Sequence, residues 1–556
     1  MPTNELHLKF WPRRLSRHLS LPQTSVWFNV EVSATRFPDH ACIDFYDGVT
    51  TYRAFKEQAE RLAGFLQKEC AVGRGDRVAL YLQNSPQFMI AYYAILRADA
   101  VVVPLNSMYL AQEISQVMLD SGARVIVTAQ ELYPRLEPLL GKGIDRAIVG
   151  CYSDYVGARP KTPVPEVFAA ARARISAPGV TLWCDALARG LVPGPHASTA
   201  DDLCVMPYTS GTTGKPKGCM HRHSGVMHTA VTVAHWHDVR QDERILAVLP
   251  FFHVTGMQNS MNMPIYAGAT IILLPRWDKD VAAQLIERHR VTGMTAVPAM
   301  VVDLIGNPDI TRYDLSSLRV IGGGGAAMPE AVARRLKELC GLTYIEGYGL
   351  TETLAPSHIN PDDRPKEQCL GIPVFDVDSR IIDPETLREL PQGETGEIVT
   401  HGPQVLEGYW QQPAENESCF LTLDGKRFFR TGDLGRIDEE GYFFFVDRLK
   451  RMINAAGFKV WPAEIESLLY AHPAIQEAVV IAKKDARAGE RVKAIVVPKA
   501  AARGTLTAEQ IMEWARERMA AYKVPREIEF VEALPRSATG KINWRLLQEK
   551  EAAAAD

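Results

Sequence analysis

Apolar residues along the first three-quarters of the chain switch repeatedly between two periods, short β-branched runs and then stretches in which every third or fourth residue is apolar. Residues 77–82 read as a strand, 86–97 as a helix, 101–105 as a strand, 111–121 as a helix and 124–128 as a strand. The pattern resumes with strands at 245–249 and 270–274, a helix at 281–289, and a strand at 319–321 leading into the glycines 322–325. Such alternation predicts an α/β fold with parallel sheets covered by helices. Between 157 and 195 the chain is rich in Pro, Gly and Ala, which predicts an ordered connection or a surface excursion.

After about residue 393 the pattern changes to strand segments, 396–400 and 441–446, with turns and few helices, so a small β-rich subdomain is expected. A charged run at 447–451 then precedes an α+β stretch: strands at 478–482 and 491–497, and a helix from Thr507, whose Thr-x-x-Gln510 box caps its start. The domain boundary is placed at Asp447, giving a large domain over 1–447 and a small one over 448–556. The Ala-rich end, 552–555, is expected to fray.

With 556 residues, 46% of them hydrophobic, the chain is long enough for several cores. Its 62 basic and 66 acidic residues leave a net charge of −4, no surplus with which to bind nucleic acid. The nine cysteines are scattered without a CxxC pair, which fits buried thiols in a reducing compartment and a cytoplasmic location. The N-terminal segment carries Lys9, Arg13, Arg14 and Arg17 but no apolar core, and Pro12 interrupts it; a surface-docked tail is expected rather than a signal peptide. Charged or polar residues break every long apolar run, so no transmembrane segment is expected. Peripheral membrane contact and the choice between monomer and homodimer stay open.

The most chemical stretch is Tyr208-Thr209-Ser210-Gly211-Thr212-Thr213-Gly214-Lys215-Pro216-Lys217-Gly218. Glycines let backbone N–H groups approach an anion, hydroxyls add donors, and Lys215 and Lys217 add charge, a combination that suits a polyphosphate. It is not a Walker A loop, because Thr209 stands where the first glycine would be and Pro216 where a Ser or Thr would follow the lysine. His221, His223 and His228 lack acidic or Cys partners at a metal-binding spacing and read as helix-capping or surface histidines.

Further segments accompany the loop in order: Gly347-Tyr348-Gly349-Leu350-Thr351-Glu352-Thr353, Tyr409-Trp410, Arg430-Thr431-Gly432-Asp433, Asp447-Arg448-Leu449-Lys450, and Pro535-Arg536-Ser537-Ala538-Thr539-Gly540-Lys541. The set resembles the adenylate-forming superfamily of acyl-CoA synthetases, carrier-protein adenylation domains and firefly luciferase, over roughly residues 51–547. The stretch Gly457-Phe458-Lys459-Val460-Trp461-Pro462-Ala463-Glu464 is most similar to fatty acyl-CoA ligases. Asn454 stands where luciferase and some other relatives have a lysine, which argues against oxidative, light-emitting chemistry.

The resemblance implies a large N-terminal domain of several subdomains, with parallel-rich sheets, and a small mobile α+β C-terminal domain. It implies that a carboxylate attacks the α-phosphate of Mg–ATP, giving acyl-AMP and pyrophosphate, after which the thiol of coenzyme A takes the acyl group. Lys541 would bridge carboxylate and α-phosphate, Thr351 would donate to that phosphate, and Glu352 would offer Mg²⁺ a hard oxygen ligand. Tyr348, between Gly347 and Gly349, would cover adenine, with Gly324, Gly325, Ala326 and Ala327 as a wall of small residues. Asp433 would accept from the ribose hydroxyls, and Arg448 would donate to ribose or phosphate. Lys450 would be the hinge that exchanges the Lys541 face for the Gly457 loop, which lines the pantetheine tunnel.

His253 would steer the carboxylate at the acyl pocket. The pocket segments 253–268 and 294–302 offer Met257, Met261, Met263, Val297 and Met300, so a medium- or long-chain fatty acid is expected. An aryl or other acid, and a carrier-protein thiol in place of coenzyme A, remain as alternatives. The sequence after Lys541 shows no carrier domain, which counts against the carrier thiol.

Overall fold

The structure, a computed structural model, describes residues 3–209, 216–326, 328–455, 458–485, 489–536 and 542–555. The chain divides into two units. The larger takes His7–Asp378 with Thr400–Phe429, and the smaller takes Met1–Leu6, Ser379–Val399 and Arg430–Asp556.

The larger unit carries two nine-stranded sheets among the described residues. In one, five adjacent pairings run parallel, joining Ile345–Tyr348, Val320–Gly323, Gly293–Thr295, Arg244–Ala247, Thr270–Leu273 and Ala41–Phe45 in that order. In the other, Leu203–Val205, Val101–Pro104, Arg77–Tyr81, Val125–Ala129, Arg146–Gly150 and Val180–Leu182 are parallel, and Lys217–Arg222 adds antiparallel at one side. The expected α/β alternation is therefore present. Val180–Leu182 comes from the Pro/Gly/Ala-rich connection, which is thus partly built into the sheet.

Helix Pro86–Arg97 is apolar all round because its whole circumference is covered: residues 86–96 are all buried. Ser85 caps it, accepting from the Phe88 amide at 3.2 Å, and proline opens its first turn. It packs against Tyr52–Glu69, and one continuous core joins these helices to strands of both sheets. The N-terminal segment is docked as expected: the Trp11 ring meets Trp236 and Phe375 edge-on, each with centroids 5.3 Å apart.

The smaller unit shows the strand-rich pattern expected after residue 393, in Gly396–His401, Lys426–Ile437 and Phe443–Arg448, with the end of the first strand and the start of the second belonging to the larger unit. Its C-terminal part is a five-stranded sheet ordered Phe458–Val460, Ile453–Ala455, Gly489–Pro498, Ile475–Asp485, with Glu527–Phe530 parallel to Gly489–Pro498. The Thr507–Gln510 capping box forms with both of its hydrogen bonds. The Ala-rich end does not fray as expected: helix Trp544–Ala555 runs through it. Alanine is the strongest helix former, and the Glu551 carboxylate in that helix is held by the buried Lys493 ammonium at 2.6 Å.

Candidate active site

Strands Tyr208–Thr209 and Lys217–Arg222 pair antiparallel, Thr209 opposite Lys217 and Gly218 opposite Tyr208. Between them, Ser210, Gly211, Thr212, Thr213, Gly214 and Lys215 lie outside the described residues, as do Ala327, Gly457 and Lys541. Lys217 is buried, its ammonium is paired with the Glu415 carboxylate, and it stands 5.2 Å from the centre of the Tyr409 ring. In this structure its charge is balanced inside the protein. The Tyr409-Trp410 pair follows from the same strand: Gly408–Tyr409 pairs with Lys217–Arg222, and the Trp410 amide donates to the Gly218 carbonyl at 2.8 Å.

Strand Ile345–Tyr348 ends in a single 3₁₀ turn, Thr351–Thr353, that carries Thr351 and Glu352. Neighbours distant in sequence hold this turn. The His221 imidazole donates from Nε2 to the Thr351 carbonyl at 2.9 Å, and the Leu406 amide donates to the Glu352 carbonyl at 2.9 Å. The Tyr409 hydroxyl donates to Glu352 Oε1 at 2.9 Å, and burial together with that carboxylate pushes the phenol pKa upward. Glu352 is itself half-buried, and its carboxylate is the oxygen ligand type that Mg²⁺ prefers.

Tyr348 is half-buried, its ring centroid 5.5 Å from that of His358. Gly324 is required by strand apposition, since a Cβ there would lie 2.2 Å from the Gly347 carbonyl oxygen. Gly325 has φ +89°, a left-handed conformation that favours glycine, and Ala326 beside it is exposed. Behind them the buried Glu346 carboxylate accepts from the Met328 amide at 2.8 Å and the Cys369 amide at 3.0 Å.

His253 caps the short helix Val254–Met257, its Nδ1 accepting from the Thr255 amide at 3.3 Å. Asn84 fixes the approach to it, donating to the Leu249 carbonyl and accepting from the Phe251 amide, each at 2.8 Å. The methionines depart from expectation. Met257, Met261 and Met263 are buried in core clusters, and Val297 and Met300 are the half-buried members of the set. Five residues after His253 the backbone widens into a π-turn, Gln258–Asn262, with Gln258, Ser260 and Asn262 all buried.

In the smaller unit, strands Lys426–Ile437 and Phe443–Arg448 place Asp433 opposite Arg448. The Arg448 guanidinium, half-exposed, lies 2.7 Å from the carboxylate of the fully buried Asp433. The two residues expected at the ribose are thus brought together. Lys450 is exposed in the 3₁₀ turn Leu449–Arg451.

The three histidines are neither helix caps nor surface residues. His221, His223 and His228 are all buried, and the cap of helix His223–Trp236 is Arg222. His223 Nδ1 accepts from the Val26 amide at 3.1 Å, and His228 Nε2 donates to the Phe375 carbonyl at 2.9 Å. Their partners lie far along the chain, where sequence spacing gives no sign of them. Asp44, Asp47 and His289 form the cluster of possible metal ligands found among the described residues, but Arg288 occupies it, 3.0 Å from Asp47 and 2.9 Å from His289 Nε2. His221, Asn84, Glu346 and the role of Tyr409 were missed from sequence; the Tyr409-Trp410 motif was the available signal for one of them.

Residues 30–410 match the family described as AMP-binding enzyme, and residues 464–541 match the AMP-binding enzyme C-terminal domain. The chain is 35% identical over 561 residues to a long-chain-fatty-acid–CoA ligase of Bacillus subtilis (strain 168), covering 99% of each. It is 34% identical over 515 residues to a feruloyl-CoA synthase of Amycolatopsis sp., covering 92% of this chain and 96% of the relative. Among solved structures it is similar to ATP-bound MatB from Rhodopseudomonas palustris, with a TM-score of 0.84 at 28% identity, covering 96% of this chain and 100% of that one. No helix among the described residues is long and apolar enough to cross a membrane.

Proposed function

We propose that this chain, which belongs to the AMP-binding enzyme family and is an AMP-forming acid–thiol ligase, activates a medium- or long-chain fatty acid with ATP and passes the acyl group to coenzyme A. The observation that carries the choice of acid is the sequence around the acyl segments: residues 254–267 and 294–302 contain no charged side chain. Such a stretch, with Val297 and Met300 half-buried at its edge, suits an alkyl tail, and the similarity to a long-chain-fatty-acid–CoA ligase agrees with it.

A carboxylate is a poor acyl donor until its oxygen is converted into a leaving group. Attack on the α-phosphate makes that group AMP and releases pyrophosphate, and the approach of two anions calls for positive charge and donors aimed at the transferring phosphate. In this reading Lys541 and the Thr351 hydroxyl supply them, and His253 orients the carboxylate. Mg²⁺, when bound, neutralises phosphate charge, and Glu352 is the residue suited to hold it. Tyr348 covers adenine, and Asp433 accepts from the ribose hydroxyls once Arg448 turns to ribose or phosphate. Lys217 fixes the start of strand Lys217–Arg222 through Glu415. Lys450 is the pivot between half-reactions, so Lys450→Pro lowers acyl-CoA formation more than pyrophosphate release; equal losses in the two assays contradict that role.

A second reading, an aryl acid, is favoured by the buried polar residues of the π-turn Gln258–Asn262 and by the similarity to a feruloyl-CoA synthase. Comparing kcat/KM for saturated fatty acids of increasing length with that for ferulate separates the two. A maximum within the alkyl series supports the fatty acid, and a higher value for ferulate overturns it.

A further inference from the structure

Strand Lys217–Arg222 begins where the phosphate-binding segment ends, and by the alternation of a strand its residues 217, 219 and 221 share a face. Lys217 and Cys219 of that face pack against Tyr409, the donor to Glu352. His221 comes next, buried, and its Nε2 meets the Thr351 carbonyl at 2.9 Å. That carbonyl's other contact is longer, the Leu354 amide at 3.3 Å. The turn closes on Leu354 at φ +50°, a left-handed conformation that is costly for leucine and persists only where the surroundings hold it.

We infer that His221 is a positioning residue for adenylation: its imidazole N–H holds the Thr351 carbonyl and so sets where the Thr351 hydroxyl and the Glu352 carboxylate stand toward Mg–ATP. The inference rests on the roles proposed above for those two residues. Burial lowers the imidazole pKa to about 3, so the ring is neutral at working pH. Its contact with a carbonyl places the proton on Nε2, which makes it a fixed donor. An apolar residue of similar size fills the same space but leaves the carbonyl with its long contact alone.

Three variants and one control test this by pyrophosphate release at saturating acid. His221→Leu removes the donor and raises the KM for Mg–ATP about tenfold, while the KM for the acid stays within about twofold. His221→Asn, whose amide stops a bond short of the carbonyl, gives the same rise, so either variant suffices if the other fails to fold. His221→Gln carries an N–H at the reach of Nε2 and recovers most of the loss.

A wild-type KM for Mg–ATP in His221→Leu overturns the inference, as does an equal rise in both KM values. So does a His221→Gln variant with wild-type Tm that is as impaired as His221→Leu. Glu352→Ala is the control for the underlying reading. If it raises the Mg²⁺ requirement while His221→Leu does not alter the KM, the positioning role fails and the Glu352 reading stands. If Glu352→Ala titrates with Mg²⁺ as the wild type does, the Glu352 reading fails and the inference with it.

Discussion

The Thr351–Glu352 turn and the Asp433–Arg448 pair hold their polar groups in opposite ways. The turn is clamped from three directions by His221, Leu406 and Tyr409, each contact at 2.9 Å. Asp433 is buried too, but its partner is a half-exposed arginine on the adjacent strand. The first arrangement fixes geometry before any ligand arrives, which is how donors aimed at a developing charge act most effectively. The second is exchangeable at its open side: Arg448 is half-exposed, so a ligand whose hydroxyls donate to the buried Asp433 carboxylate can take its place and keep that charge paired. In the function proposed above, fixed contacts suit the reacting phosphate, and an exchangeable pair suits a nucleoside that must enter and leave.

The sharpest way to break this contrast is Asp433→Ala. Losing a carboxylate that accepts from two hydroxyls lowers kcat/KM for ATP on the order of a hundredfold, while Tm changes little; an unaltered kcat/KM removes Asp433 from the ribose. Tyr409→Phe is next. It deletes one donor to a carboxylate, and the KM for Mg–ATP rises roughly tenfold; if it stays at the wild-type value, the clamp on Glu352 does not matter to binding.

The smallest effect is on stability against pH. Burial lowers the pKa of His7 and His228 to about 4, and of His221, His223 and His358 to about 3, against a reference of 6.5. The unfolded chain therefore binds more protons. Stability is fully present above about pH 6.5 and is lost as pH falls toward the folded values. His221→Leu removes one such group, so urea denaturation at neutral pH and at about pH 5 gives a slope shallower by up to about 1.4 kcal/mol per pH unit. An unchanged slope contradicts a buried, neutral His221.

Much of the fold was legible because its signals are local. Helices Pro86–Arg97 and Ala111–Ser121 begin and end where the sequence predicts, the first at Ser85-Pro86 and the second at Gly122 in a left-handed cap. The capping box at Thr507 is equally local. What sequence could not show is pairing across distance. His221 and Thr351 are 130 residues apart, and nothing near either names the other. The methionines after His253 fit an acyl pocket by composition, yet Met257 and Met261 belong to the core, because composition does not say which way a side chain faces. The alanine end was misjudged for a related reason: its anchor, Lys493, lies on a distant strand.

The central claim is tested most directly by resolving the products formed from Mg–ATP, coenzyme A and a long-chain fatty acid, with nucleotides separated by chromatography and the thioester identified by mass. Equal amounts of AMP, pyrophosphate and fatty acyl-CoA, absent when the acid is omitted, are the predicted result. ADP and phosphate in their place, or AMP and pyrophosphate without any CoA thioester, would contradict the account.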